Sequence, residues 1–317
     1  MRERTILTHN PEMRRILIVG CGDIAMRVAS RLQTGNCAPY RLFGLVRNAA
    51  RMNELRALGI TPLLGDLDGI KSLRRLAGLA DTVLHFAPPP APRIPSGGGS
   101  GRVTKESDRV NSDTRTRNLL AILSQGILPK YFVYISTSGV YGNCDGAIIS
   151  ETHPLNAQTA RAQRRIDAEQ QIRTWATRNR VHASILRVPG IYAADRLPLD
   201  RLRAGTPAIV QEQDSYTNHI HADDLARIVI AALHHAKPNR IYHTSDDSQL
   251  KMGDYFDAVA DAHHLPRPPR LPRAEVERAV SPMLWTFMTE SRRLTNVRMK
   301  RELKVALSYP TVKIGLL

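Results

Sequence analysis

Short apolar runs alternate with segments of helical period along most of this chain, and that alternation restricts the fold more than any other feature. The series starts with RRILIVG (14–20) and IAMRVASRL (24–32), then RLFGLVR (41–47), MNELRALG (52–59) and ITPLLGDL (60–67). It continues with SLRRLAGLA (72–80), DTVLHFA (81–87), TRTRNLLAILSQG (114–126) and KYFVYIST (130–137). VHASILRV (181–188), DDLARIVIAALHHA (223–236) and NRIYHTS (239–245) complete it. A strand followed by a helix and another strand must run parallel to the first, and a continuously apolar strand is covered on both faces. The expectation is an α/β fold: a doubly wound parallel sheet of about seven strands with helices on both sides.

Two stretches break the rhythm. PPPAPRIPSGGGSGRVTKESD (88–108) is rich in Pro, Gly and Ser and reads as a mobile loop. Beyond about Leu250 helical segments alternate with proline-rich connections such as LPRPPRLPR (265–273). The expected organisation is therefore a dinucleotide-type unit over 14–188 and 214–245, a smaller, mostly helical lobe from 189–213 and 246–317, and a disordered tail over 1–13. That tail is polar and lacks the apolar core of a secretory signal, and no window suits a membrane span. Three cysteines in no metal-type spacing suit a reducing cytoplasm, and no metal site is expected. The net charge of +16 raises the question of nucleic acid, but the arginines are dispersed and aromatics are only 5%. Anionic small ligands account for the charge at least as well.

The first strand runs into Gly20-Cys21-Gly22-Asp23-Ile24-Ala25, a G-x-G-x-x-A turn opening a helix. Gly20 permits the tight turn, Gly22 lets backbone approach a pyrophosphate, and Ala25 allows close helix–strand packing. The free N–H groups of the helix start then hold the anion. After the second strand stand Arg47, Asn48 and Arg51, where a site for an unphosphorylated ribose usually carries Asp or Glu. Basic residues there suit a 2′-phosphate, so NADP(H) is preferred and NAD(H) is the second option. Asp66 and Leu67 follow the third strand; Asp66 either borders the adenine or caps the next helix. Ala87 and Pro88, at the end of the fourth strand, face the same crevice.

GCGDIA, GDL, YISTSGVYG (134–142), LRVPGIYAADR (186–196) and NHIHADDLA (218–226) occur in an order that resembles the extended short-chain dehydrogenase/reductase superfamily, in its NAD(P)-dependent epimerase/dehydratase branch. The resemblance covers roughly 14–250. It implies that Ser136, Thr137 and Pro189 border the nicotinamide, that the smaller lobe binds a small-molecule substrate, and that a homodimer would form through helices 114–126 and 158–178.

The resemblance also implies a Tyr-x-x-x-Lys pair on the helix QTARAQRRIDAEQQ (158–171), four residues before a Glu. Counting back from Glu169 places Arg165 at the Lys position and Arg161 at the Tyr position. No tyrosine occurs between Tyr141 and Tyr192, and no lysine between Lys130 and Lys237, so no shifted register restores the pair. Arginine stays protonated at neutral pH and cannot shuttle a proton, but it binds carboxylates, phosphates and oxyanions. Arg165 is expected to contact the nicotinamide ribose, and Arg161, Arg196 and His221, with Arg203, to face an anionic or sugar-type substrate. Thr137 and Tyr141 are the catalytic candidates, with loop packing as the other reading of Tyr141. For His221 the other reading is an anchor for the helix that follows; His85, at the end of the fourth strand near the cofactor cleft, is a further candidate acid whose other reading is a core or strand-edge role. The function expected is an NAD(P)-dependent oxidoreductase or epimerase/dehydratase-like enzyme with altered acid/base residues. The alternative is a non-catalytic NADP(H)-binding protein or redox sensor.

Overall fold

A computed structural model of the protein describes residues 14–34, 40–91 and 111–317. The expected tail over 1–13 and most of the 88–108 loop lie outside the described residues. Seven strands form one sheet: β1 (Arg14–Val19), β2 (Tyr40–Val46), β3 (Ile60–Leu64), β4 (Thr82–His85), β5 (Tyr131–Thr137), β6 (His182–Val188) and β7 (Arg240–His243). They lie in the order β3-β2-β1-β4-β5-β6-β7, every pair parallel. The chain winds outward in both directions from β1, so the crevice between the C-terminal ends of β1 and β4 is where such sheets bind ligands.

Side-chain alternation along each strand divides the core into two layers. On β1, Ile16 and Ile18 pack under α1 (Asp23–Thr34) and α5 (Ala222–His235), while Leu17 and Val19 face the opposite side. On β5, Val133 and Ile135 join the first layer, and Phe132 and Tyr134 the second. That second layer is roofed by α3 (Thr114–Leu123) and α4 (Ala160–Asn179). Asp113 caps α3, and Thr159 caps α4 by accepting from Ala162 N at 3.2 Å. The helix α2 (Met52–Ala57) is short.

Several local expectations shift. The helix anticipated over 72–80 is a 3-10 segment, Ile70–Leu76, that stops before Gly78, whose φ of +68° leaves the helical region. Three two-residue or three-residue parallel ladders were invisible to periodicity: Gly190–Tyr192 with His219–His221, Ala208–Ile209 with Arg270–Leu271, and Ile148–Ile149 with Arg293–Leu294. Segments 189–213 and 246–317 share their own cluster, in which Tyr192 and Leu202 meet Phe256 and Val259 of α6 (Met252–Ala262). The helix Val297–Leu303 departs from that grouping. It buries Met299 and Leu303 in the core of the main sheet, because α5 and β7 leave an apolar edge there.

A buried polar chain clamps α4 to the sheet. Glu169 Oε2 meets Arg187 Nη2 of β6 at 2.6 Å, and Ser136 Oγ of β5 donates to Glu169 Oε1 at 2.5 Å. Arg187 Nη1 donates to the Tyr141 hydroxyl at 2.5 Å. His243 Nδ1 lies 3.0 Å from the Thr295 carbonyl, which can only accept. His243 Nε2 is then the acceptor for the Tyr141 hydroxyl at 2.6 Å. Removing one member of such a pair strands a charge in the core. Arg187→Met should lower the unfolding free energy by about 3–5 kcal/mol in denaturant titration, while the exposed Met283→Ala stays within about 0.5 kcal/mol of wild type.

Candidate active site

The crevice at the strand ends holds a cavity of about 510 Å³, floored by the glycine turn and walled by the ends of β2, β3 and β4. The backbone after β4 closes over the turn: Phe86 N and Ala87 N both donate to the Val19 carbonyl, at 2.8 and 3.0 Å. Gly20, at φ +95°, passes so close beneath that a Cβ would sit 2.5 Å from Ala87 N. Only glycine fits on both counts. A Cβ on Gly22, by contrast, would have nothing within 4 Å and would project into open space over the start of α1. A turn that is tight at its first glycine and bare at its second, opening a helix, fits a dinucleotide pyrophosphate.

Every cofactor residue anticipated from the sequence lines this cavity except Ser136 and Pro189. Ser136 is buried and spends its hydroxyl on Glu169, which removes it from the crevice. Pro189 lines the neighbouring cavity instead. The polar residues after β2 are not equivalent. Asn48 Oδ1 accepts from Ala50 N at 2.9 Å and so caps a turn. Arg51 donates to the Cys21 carbonyl at 2.6 Å and to both oxygens of Glu54 at 3.0 Å, which holds its guanidinium firmly protonated and offsets its charge. Arg47 is exposed and makes no ion pair among the described residues. Asp66 Oδ1 accepts from Asp68 N at 3.0 Å, a local turn rather than a helix cap. Arg115, not anticipated, reaches the cavity while bonded to Asp68 at 2.7 Å and to the Pro88 carbonyl at 3.2 Å. Burial pushes the Cys21 thiol up to about 12, so it is not a nucleophile.

A second cavity of about 420 Å³ adjoins the first, sharing Ile191 and Arg196 with it, and is lined by Thr137, Gly139, Pro189 and Arg161. The face of α4 carrying the two arginines borders both cavities. Arg165 Nη1 donates to the Ile135 carbonyl at 2.7 Å and the Tyr134 hydroxyl at 2.9 Å, at the edge of the dinucleotide cavity. Arg161 lies 4.4 Å above the Phe287 ring in the second cavity. Thr137 caps the turn after β5, its hydroxyl accepting from Gly139 N at 3.2 Å.

Other candidates are placed elsewhere. Tyr141 lines neither cavity: it is fully buried, its proton is committed to His243, and burial raises the phenol to about 12. His221 is the N-cap of α5, its Nδ1 accepting from Asp223 N at 3.2 Å while the ring stacks on Tyr309 at 3.7 Å. Its helix-anchor reading therefore stands in place of a substrate contact. Arg196 reaches both cavities but is bound to Asp23 at 3.0 Å. Arg203 is exposed and bound to Asp200 at 3.1 Å. His85 is a core residue 3.0 Å from Thr116 Oγ1. Sequence reasoning missed the contributions of the C-terminal segments to the second cavity: Arg201, Tyr255, Phe256, Phe287, Glu290 and Arg292. No motif marks them. Arg201 is largely desolvated, 3.9 Å from the Phe256 ring and bonded to the Pro207 carbonyl at 3.0 Å, and burial lowers its guanidinium to about 10.

The sheet order and the glycine turn define the α/β architecture of dinucleotide-binding proteins. The chain belongs to the NAD dependent epimerase/dehydratase family, whose model matches residues 16–244. Among solved structures, it is similar to a functionally unknown conserved protein from Silicibacter pomeroyi, at 27% identity and a TM-score of 0.72 over 96% of this chain and 97% of that one. A putative NAD-dependent epimerase/dehydratase from Methylobacillus flagellatus matches at 24% and 0.67, over 96% of each chain. The UDP-glucuronic acid 4-epimerase from Bacillus cereus, solved in complex with NAD, matches at 17% and 0.68, over 95% of this chain and 96% of that one. No curated protein matches the sequence.

Gly22→Val should abolish dinucleotide binding in calorimetry yet leave the unfolding midpoint unchanged, whereas Gly20→Ala should destabilise the fold by about 2–4 kcal/mol. A pH effect is also expected. Burial lowers His85, His219 and His243 from 6.5 to about 3, so below pH 6.5 the unfolded chain binds protons that the folded chain refuses. Thermal unfolding should therefore occur at progressively lower temperature as pH falls from 6.5 towards 3.

Proposed function

We propose that the protein is an NAD(P)-dependent oxidoreductase of the epimerase/dehydratase type, acting on a hydroxyl or carbonyl carbon of a small anionic or sugar-type substrate held in the second cavity. The observation that carries this reading is that the two cavities meet at Ile191 and Arg196, with Thr137 and Pro189 on the wall of the second, which supports a substrate pocket beside the dinucleotide crevice. When bound there, a nicotinamide dinucleotide supplies the acceptor or donor of a hydride. The Thr137 hydroxyl would donate to the reacting oxygen, and Arg161 would stabilise negative charge developing on it. Arg161 and Arg201 make no ion pair among the described residues, whereas Arg196 and Arg292 are paired with Asp23 and Glu290. This supports an anionic substrate, recognised by Arg161 and Arg201 rather than by Arg196 and Arg203.

The uncommitted Arg47 supports NADP(H) over NAD(H), with Arg51 excluded as the discriminating residue by its bonds to Cys21 and Glu54. A cytoplasmic setting is in keeping with the free Cys21 and Cys144. The rival reading, a dinucleotide-responsive binding protein without turnover, draws on the arginines that occupy both positions of the usual Tyr-x-x-x-Lys pair.

Consumption of NADPH against a panel of carbonyl acids and nucleotide sugars separates the two. Turnover that falls at least tenfold in Thr137→Ala supports the enzyme. Tight NADPH binding with no turnover on any member supports the rival. For the coenzyme, Arg47→Glu should weaken NADPH at least tenfold and NADH less than twofold in fluorescence titrations; equal losses would remove Arg47 from the discrimination.

A further inference from the structure

The missing tyrosine leaves the site without an obvious proton carrier, and the described residues lining the second cavity narrow the choice. Tyr255 stacks on His219 at 4.0 Å, and burial raises its phenol far above the neutral range. His219 is itself buried in that stack, where burial keeps its imidazole neutral down to about 3. Tyr216 is covered by the Arg293 guanidinium, 4.6 Å above its ring. Glu290 is the only carboxylate among the described residues lining this cavity. It comes from the segment between the helix Pro282–Met288 and the strand Arg293–Leu294.

Its position is specific. Gly139 has no side chain, and the space where its Cβ would stand is 3.6 Å from Thr137 Oγ1 and 3.8 Å from Glu290 Oε2. The hydroxyl and the carboxylate thus flank one gap. Arg292 Nη1 holds Glu290 Oε2 at 2.8 Å and also donates to the Gly142 carbonyl at 2.7 Å, tying the carboxylate to the loop after β5. The ladder of Arg293–Leu294 on Ile148–Ile149 anchors the same segment.

We infer that Glu290 is the catalytic proton acceptor, substituting from the C-terminal segment for the tyrosine absent from α4. This rests on the redox reading above. In the oxidative direction the substrate O–H bond breaks and its proton passes to the Glu290 carboxylate. The adjoining C–H bond breaks with its electron pair going to the oxidised nicotinamide, and a C=O bond forms. The carbon is oxidised and the dinucleotide reduced. Thr137 donates to the oxygen throughout, and Arg161 supplies the positive charge that a protonated base could not.

A carboxylate at the reacting face should also favour the positively charged oxidised nicotinamide over the neutral reduced ring. Affinities of oxidised and reduced dinucleotide for wild type, Glu290→Gln and Glu290→Asp provide the test. The expected result is an oxidised-to-reduced affinity ratio about fivefold lower in Glu290→Gln, the effect of one nearby charge screened by a partly wet cavity. The ratio in Glu290→Asp, which keeps the charge, should lie close to wild type. An unchanged ratio in Glu290→Gln, an equal change in Glu290→Asp, or Glu290→Gln turnover within twofold of wild type overturns the assignment of Glu290 while the redox reading stands. If wild type binds neither form, the redox reading falls, and the assignment with it.

Discussion

The contact between Glu169 and Arg187 sets the rest of the site. Two charges this deeply buried are tolerated only when their oxygens and N–H groups find partners, and here Ser136, Tyr141 and the Glu151 carbonyl supply them, with His243 holding Tyr141 in place. The pair fixes the rotation of α4 about its own axis, because Glu169 must point at β6. Arg165 lies one turn earlier on that face and Arg161 two turns earlier. One ion pair in the core thereby aims both arginines, Arg165 at the first cavity and Arg161 at the second.

The sheet was legible in the sequence because its strands are buried on both faces and its helices repeat with a clean period. The glycine turn was legible because its steric demands leave few alternatives at Gly20. The face of α4 could be placed from spacing alone, since Glu169, Arg165 and Arg161 share one stripe. The second cavity was legible only in part. Thr137 and Arg161 mark one wall, but the others come from 189–201, 216–219, 252–256 and 284–292, joined by ladders of two or three residues that are too short to show any periodicity. Glu290 sits in TESRRL, a stretch with no motif, and acquires its neighbours only through folding. Tyr141 and His221 show the converse. Both stand in well-marked segments, yet hydrogen bonding inside the core commits one to His243 and a helix start commits the other to Asp223.

Charge in the two cavities follows from partners rather than from counts. Of the arginines around them, Arg51, Arg115, Arg196 and Arg292 are answered by Glu54, Asp68, Asp23 and Glu290. Their work is to shape walls. Arg165 is held by neutral oxygens of β5, while Arg47, Arg161 and Arg201 make no ion pair among the described residues. Around the cavities a strongly basic composition is thus resolved into a few guanidinium groups whose charge no ion pair among the described residues answers, Arg47 and Arg165 at the first cavity and Arg161 and Arg201 at the second.

The pairing of Ile148–Ile149 with Arg293–Leu294 joins positions far apart in the chain and brings the late segment against the loop after β5. During synthesis the parallel sheet and its glycine turn emerge from the ribosome well before that segment does. A newly made chain can therefore assemble its crevice while the pocket beside it still waits for the segment that completes it.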